Sequence, residues 1–154
     1  GSYFATKMCA ELLTKSYQSY FDITLLRLFF MYGQGQNRAM LMPRLVDNVR
    51  KGSPIKITKN GGIQINPIHV GDVLDTLNNL ISSEGSHTYN VAGPEVLNIK
   101  AIVDIIGNKL GKKPVYEQQE GEGENCIANI DLLISKIHKP QIKVETAIQE
   151  LFQQ

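Results

Sequence analysis

The chain has 154 residues, 42% of them apolar and 20% charged, with a formal net charge of +1. Chains of this length bury roughly 70% of their unfolded surface, so one folded domain is expected and a disordered or collagen-like chain is excluded. Residues 23–31 form the longest apolar run, broken by Thr24 and Arg27 and far below the ~20 residues of a membrane span. The near-neutral charge argues against a nucleic-acid surface. Gly1-Ser2 reads as native chain or a cloning scar, and with no charged-then-apolar leader a cytoplasmic location is expected. Cys9 and Cys126 lie far apart without paired metal-ligand spacing, so they read as buried or incidental thiols of a reducing compartment.

In chain order, Met8, Cys9, Leu12, Leu13 and Ser16 repeat at helical spacing and predict a first helix that fades near Ser19-Tyr20. Residues 23–30 (ITLLRLFF) then read as a strand buried on both faces, as in a parallel sheet, followed by a glycine-rich loop at residues 32–37. Arg27 inside that strand calls for an ion pair or a strand-end position. Pro43 at an early position and Gly52 as a stop bracket a second helix carrying Leu45, Val46 and Val49. Ile55 and Ile57 alternate with polar residues, and Asn60-Gly61-Gly62 predicts a hairpin turn into Ile63-Gln64-Ile65. Gly71-Asp72 is the expected cap of a helix with Val73, Leu74, Leu77, Leu80 and Ile81.

Residues 88–91 read as a strand, and Asn98 as the cap of a helix carrying Ile99, Ile102, Val103, Ile106 and Leu110, stopped by Gly111. Residues 114–116 predict a strand, and the four glutamates of residues 117–124 a solvated loop. Asp131 opens a short helix, and Val144, Ala147, Ile148, Leu151 and Phe152 predict a final amphipathic one. Mixed strands and helices make the fold class α/β. His69, between Ile68 and Val70, reads as a packing histidine, and neither His87 nor His138 has metal-ligand company.

Tyr3 and Lys7 lie four apart at the head of the first helix, on one face. An ammonium beside a phenol stabilises the phenolate, and such a tyrosine can exchange a proton with a substrate hydroxyl while hydride moves to or from a nicotinamide. By spacing alone, a surface helix pair is the favoured reading, because Tyr-x-x-x-Lys recurs by chance.

The surrounding order is more specific. Tyr3-Phe4-Ala5-Thr6-Lys7 and Ala10-Glu11 are followed by Arg27-Leu28-Phe29, Tyr32-Gly33, Leu41-Met42-Pro43 and Lys51-Gly52-Ser53-Pro54-Ile55. Ile68-His69-Val70-Gly71-Asp72-Val73 and Tyr89-Asn90-Val91-Ala92-Gly93 come next. In that order and spacing the chain resembles the C-terminal part of an extended short-chain dehydrogenase/reductase, in the NAD-dependent epimerase/dehydratase family acting on nucleotide sugars. The resemblance implies an incomplete Rossmann sheet plus a small α/β substrate-binding domain. It divides the chain into residues 1–39, the end of the dinucleotide-binding domain, and 40–66, a substrate-domain segment. Residues 67–94 then return to the dinucleotide domain, and 95–154 form the C-terminal substrate-binding domain.

By the same resemblance Tyr3 is the acid/base, Lys7 holds the nicotinamide ribose, and Phe29 lies by the carboxamide of NAD or NADP. Phe30, Leu41, Pro43, Ile57 and Asn66 are the implied substrate-binding residues, and no metal is expected. A homodimer through residues 3–17 is implied as well. The glycine-rich dinucleotide turn is absent: Gly33-Gln34-Gly35 has Arg38 where the third glycine should fall. The chain therefore reads as a fragment, inactive alone. Phe30 stands where the family usually has asparagine, Ile65-Asn66-Pro67 where it has arginine, aspartate and an aromatic, and a late phosphate-binding arginine is missing. Arg38 or Arg44 could take over that contact. These departures weaken the case for a UDP-sugar. They leave open a non-catalytic member that binds a sugar-like ligand or a protein partner, and a carbonyl reductase of the same superfamily.

Overall fold

The computed structural model describes residues 1–153, an α/β arrangement of six helices and three two-stranded sheets among the described residues. Helix α1 (Ser2–Lys15) leads to β1 (Thr24–Leu28), which pairs in parallel with β4 (His87–Val91), Thr24 opposite His87 and Leu28 opposite Val91. A parallel pair needs a long crossover. Here it holds α2 (Leu41–Lys51), β2 (Ile55–Ile57), β3 (Gln64–Ile65) and α3 (Val70–Leu80). After β4 come β5 (Leu97–Asn98), α4 (Ile99–Leu110), β6 (Tyr116–Gln118), α5 (Asp131–Lys136) and α6 (Val144–Ala147), the last running into a 3₁₀ turn, Ile148–Gln153.

Two apolar clusters hold these elements. Met42, Leu45, Val46 and Val49 of α2 meet Ile102, Val103 and Ile106 of α4, with Ile148 and Leu151 closing the far side. The second cluster sets Val73 and Leu80 of α3 against Tyr89 and Val91 of β4, with Leu26 of β1 and Leu133 of α5. Residues beyond 95 thus feed both clusters. Asp72 ties one to the other: its carboxylate, only 2% exposed, accepts from the N–H groups of Gln141 and Ile142 at 3.0 and 2.9 Å.

The expected helix boundaries hold at α2 and α4. Gly52 and Gly111 take left-handed backbones at the two C-termini (φ 67° and 63°), and the Asn98 side chain accepts from Ala101 N–H at 2.8 Å. Five local expectations change. Residues 55–65 form no hairpin. Asn60, Gly61 and Gly62 are all left-handed (φ 62°, 87° and 85°), a wider turn than a two-residue loop, and it separates the two strands. β2 instead pairs in parallel with β6, and β3 antiparallel with β5.

β1 is not buried on both faces: Leu28 is 45% exposed, because β1 has one strand neighbour among the described residues and α1 buries no side chain. The cap of α3 is His69, whose Nδ1 accepts from Gly71 N–H at 3.1 Å; Asp72 lies inside the first turn instead. The last helix tightens after one turn. Its final carbonyls are taken by guanidinium groups, Arg38 bonding the Leu151 oxygen at 2.9 Å and Arg50 that of Phe152. Finally, Cys9 and Cys126 are both exposed, which leaves them incidental and not buried.

Candidate functional site

Helix α1 presents Tyr3 and Lys7 on one face, as their spacing requires. The Lys7 ammonium lies 5.4 Å from the Tyr3 ring centroid, and Lys7 makes no ion pair among the described residues. One turn further, Glu11 holds Arg27 of β1 in a two-pronged contact at 2.9 and 2.6 Å, which docks the helix on the strand. That guanidinium keeps the Glu11 carboxyl below its ordinary range. Arg27 is therefore the paired charge its place in the strand demanded. Tyr3 itself is 75% exposed and opens onto two clefts.

The first cleft, about 330 Å³, is walled by Tyr3, Lys7, Glu11, Leu26, Arg27 and Leu28. The second, about 360 Å³, lies on the other side of Tyr3 and is lined by Phe30, Gln36, Met40 and Leu41 among others. Leu41 then belongs also to a third cleft of about 440 Å³, with Arg44, Lys56, Ile57 and Ile99 in its walls. Tyr3 thus joins the first cleft to the second, and Leu41 joins the second to the third. Phe30 at the middle of this series carries a left-handed backbone, φ 44°, a conformation costly for an aromatic residue and one where asparagine is tolerated better.

Four of the expected site residues, Tyr3, Phe30, Leu41 and Ile57, are thus brought onto the connected clefts, with Lys7 at one end. Three are not. Phe29 is half-buried, its N–H bonded to the Val91 carbonyl at 3.0 Å, and lines none of the three. Pro43 is buried in α2, and its carbonyl accepts from Arg38. Asn66, 3% exposed, spends both ends of its amide on Ala128, accepting from its N–H and donating to its carbonyl at 2.9 Å each. Asn66 and Pro43 are thus both turned inward, where they hold backbone segments together.

Arg38 is also occupied, its guanidinium bound to both oxygens of Asp47 and to the Leu151 carbonyl. Of the two arginines considered for an anion contact, only Arg44 reaches a cleft. Lys56 and Gln36, not singled out in the sequence, also line the clefts. The strand alternation that buries Ile55 and Ile57 turns Lys56 outward, so that signal was present for the lysine; none was for Gln36.

Elsewhere, His69 is buried, as a packing histidine should be, with Nε2 2.9 Å from a Glu150 oxygen and its ring edge-on to Tyr32. The Tyr32 hydroxyl is buried without a hydrogen-bond partner among the described residues, and burial pushes its phenol upward, unsuited to proton exchange. No group of three or more His, Cys, Asp or Glu side chains suited to a metal occurs among the described residues. No helix among them is long and apolar enough to cross a membrane.

Comparison with known proteins gives the same assignment as the residue order. A probable UDP-glucuronate 4-epimerase of Rhizobium meliloti (strain 1021) is 22% identical over 172 residues, covering 95% of this chain and 50% of that protein. The chain therefore spans about half the length of the curated relative it matches. The structure of a UDP-glucuronic acid 4-epimerase from Bacillus cereus, in complex with UDP-glucuronic acid and NAD, superposes with a TM-score of 0.83 at 20% identity. That match covers 98% of this chain and 51% of the other. A dTDP-glucose 4,6-dehydratase from Bacillus anthracis str. Ames, in complex with NAD, gives 0.79 at 21% identity over 99% of this chain and 51% of its own. These likenesses establish the fold, a partial Rossmann-like α/β unit. The model of the NAD dependent epimerase/dehydratase family matches residues 1–92, well over half of the chain, and the chain belongs to that family.

Proposed function

We propose that the protein carrying this chain is an NAD(P)-dependent epimerase or dehydratase acting on a sugar, in its preferred form a sugar nucleotide. The observation that carries this is the position of Tyr3 between two clefts, with Lys7 on one side and Phe30 and Leu41 on the other. On this reading Lys7, which makes no ion pair among the described residues, donates to hydroxyls of the cofactor in the first cleft. The cleft's mix of one free ammonium and apolar Leu26 and Leu28 fits the ribose-nicotinamide end of such a group. When bound, the nicotinamide accepts and returns hydride.

Tyr3 takes the hydroxyl proton of the sugar carbon being oxidised and gives a proton back on reduction. Phe30 and Leu41 flank the sugar, and Leu41 and Ile57 lead to its anchoring nucleotide in the third cleft. Phe29 acts from the strand end beside the nicotinamide. Asn66 and Pro43 shape the site through the backbones they hold. The B. cereus enzyme, bound to both UDP-glucuronic acid and NAD, supports the sugar-nucleotide class and NAD as the cofactor.

The 154 residues alone are inactive on this reading, because no glycine-rich dinucleotide turn stands among them. The α1 face with exposed Phe4, Met8 and Leu12 is the proposed homodimer contact. Two free, exposed thiols suit a reducing cytoplasm. The test is Tyr3→Phe in the full protein, assayed with NAD and a panel of UDP- and dTDP-sugars. Turnover should fall about 10²- to 10⁴-fold while NAD binding persists. Unchanged turnover would remove Tyr3 from the chemistry.

A further inference from the structure

The second cleft differs from its neighbours in charge. Lys7 and Arg27 line the first cleft, and Arg44 and Lys56 line the third. No charged side chain lines the second among the described residues. Of its eight lining residues only Tyr3 and Gln36 have polar side chains; the others are Phe30, two leucines and three methionines. The Gln36 amide nitrogen donates to the Met31 carbonyl at 2.7 Å, which turns that donor back onto the loop. Tyr3 carries the one side-chain hydroxyl on this wall.

Local structure fixes the wall in place. Phe30 and Leu41 are half-buried and pack on the α2–α4 cluster. That packing holds Phe30 in its left-handed backbone, φ 44°, a conformation that persists only where the surroundings impose it. An asparagine here would relax the backbone and put an amide on the wall, and phenylalanine does neither. Met40, the exposed residue that precedes α2, completes an apolar surface able to adapt to irregular groups. A sugar hydroxyl that faces such a surface loses water without gaining a partner. A carboxylate loses far more, because an ionised group without a cation or donors is the costliest to desolvate. A methyl group gains burial instead.

We propose that the second cleft selects a neutral sugar with a methyl or similar apolar substituent beside the carbon being oxidised, and that Phe30 disfavours the hydroxymethyl and carboxylate counterparts. This selection rests on the sugar-nucleotide reading given above and adds to it the class of sugar.

The experiment is calorimetric titration of the full protein carrying this chain, saturated with reduced cofactor, NADH or NADPH, so that no sugar hydroxyl can be oxidised. The probes are 6-deoxyglucose, glucose and glucuronic acid as their UDP and dTDP conjugates, with UDP and dTDP alone as references. The 6-deoxy conjugate should bind about tenfold tighter than that of glucose and about a hundredfold tighter than that of glucuronic acid. Phe30→Asn should narrow both gaps to about threefold, and the apolar Phe30→Leu should keep the ranking. Equal affinity for the three conjugates, or tighter binding of the glucose or glucuronic acid one, would overturn the selection while leaving the sugar-nucleotide site intact. A ranking unmoved in Phe30→Asn would take the role from Phe30. A protein that binds its cofactor but none of the conjugates or free nucleotides would overturn that site, and this selection with it.

Discussion

Replacing Asp72 by alanine tests how the two apolar clusters are held in register around the clefts. The carboxylate is buried in the first turn of α3 and receives the N–H groups of Gln141 and Ile142 at 3.0 and 2.9 Å. Ile142 packs on the α2–α4 cluster, so the contact fixes the tail over the larger core. Hydrogen bonds to a charged acceptor contribute about 1.5–3 kcal/mol each. Because one carboxylate serves both, the joint loss is less than twice that, about 3–5 kcal/mol. The sharper readout is local: hydrogen-exchange protection of the two amides should fall about 10- to 150-fold each. Asp72→Asn keeps one acceptor but turns an NH₂ toward the other N–H, so about half the loss is expected. Protection at residues 141 and 142 that falls less than about threefold in Asp72→Ala, with the fold intact by circular dichroism, would refute this account of the tail.

Three further outcomes can be checked on the same protein. The Arg38 guanidinium holds the Asp47 carboxyl below its ordinary value, so this pair contributes fully above the unfolded pKa of about 3.9 and is lost as pH falls through the lower native value. Asp47→Asn should therefore cost about 1–2 kcal/mol by urea titration at pH 7 and progressively less as pH falls below about 3.9, flattening the acid limb of the stability profile. Asn98→Ala removes both the cap of α4 and a bond from its side-chain N–H₂ to the Asn60 carbonyl at 3.0 Å, with an expected loss of about 1–2 kcal/mol. Ile102→Ala, in a fully buried position of the larger cluster, should cost about 2–5 kcal/mol without changing the response to acid.

Legibility in the sequence followed the range of the interaction. Asn98 and the stops at Gly52 and Gly111 depend on residues within one helical turn, and all were readable. So was the shared face of Tyr3 and Lys7, which four-residue spacing dictates wherever a helix forms. The hairpin expected over residues 55–65 failed because Asn60-Gly61-Gly62 fits more than one turn, and the competing partners, β5 and β6, lie far along the chain. Asn66 illustrates the same limit at the site. Its chemistry suits a ligand, yet the Ala128 backbone, remote in sequence, absorbs both ends of the amide.

What the sequence determined alone was membership and chemistry: an ordered set of short segments led by a tyrosine and lysine, and the stock of four arginines from which any guanidinium contact must be drawn. Tertiary structure decided which of those arginines is available. Arg38 and Arg44 are equivalent in the sequence, six residues apart, until folding brings Asp47 and the Leu151 carbonyl to the first and the third cleft to the second. Side-chain identity sets what a group can bind. Only the packed chain fixes whether a carboxylate or a backbone carbonyl has bound it already.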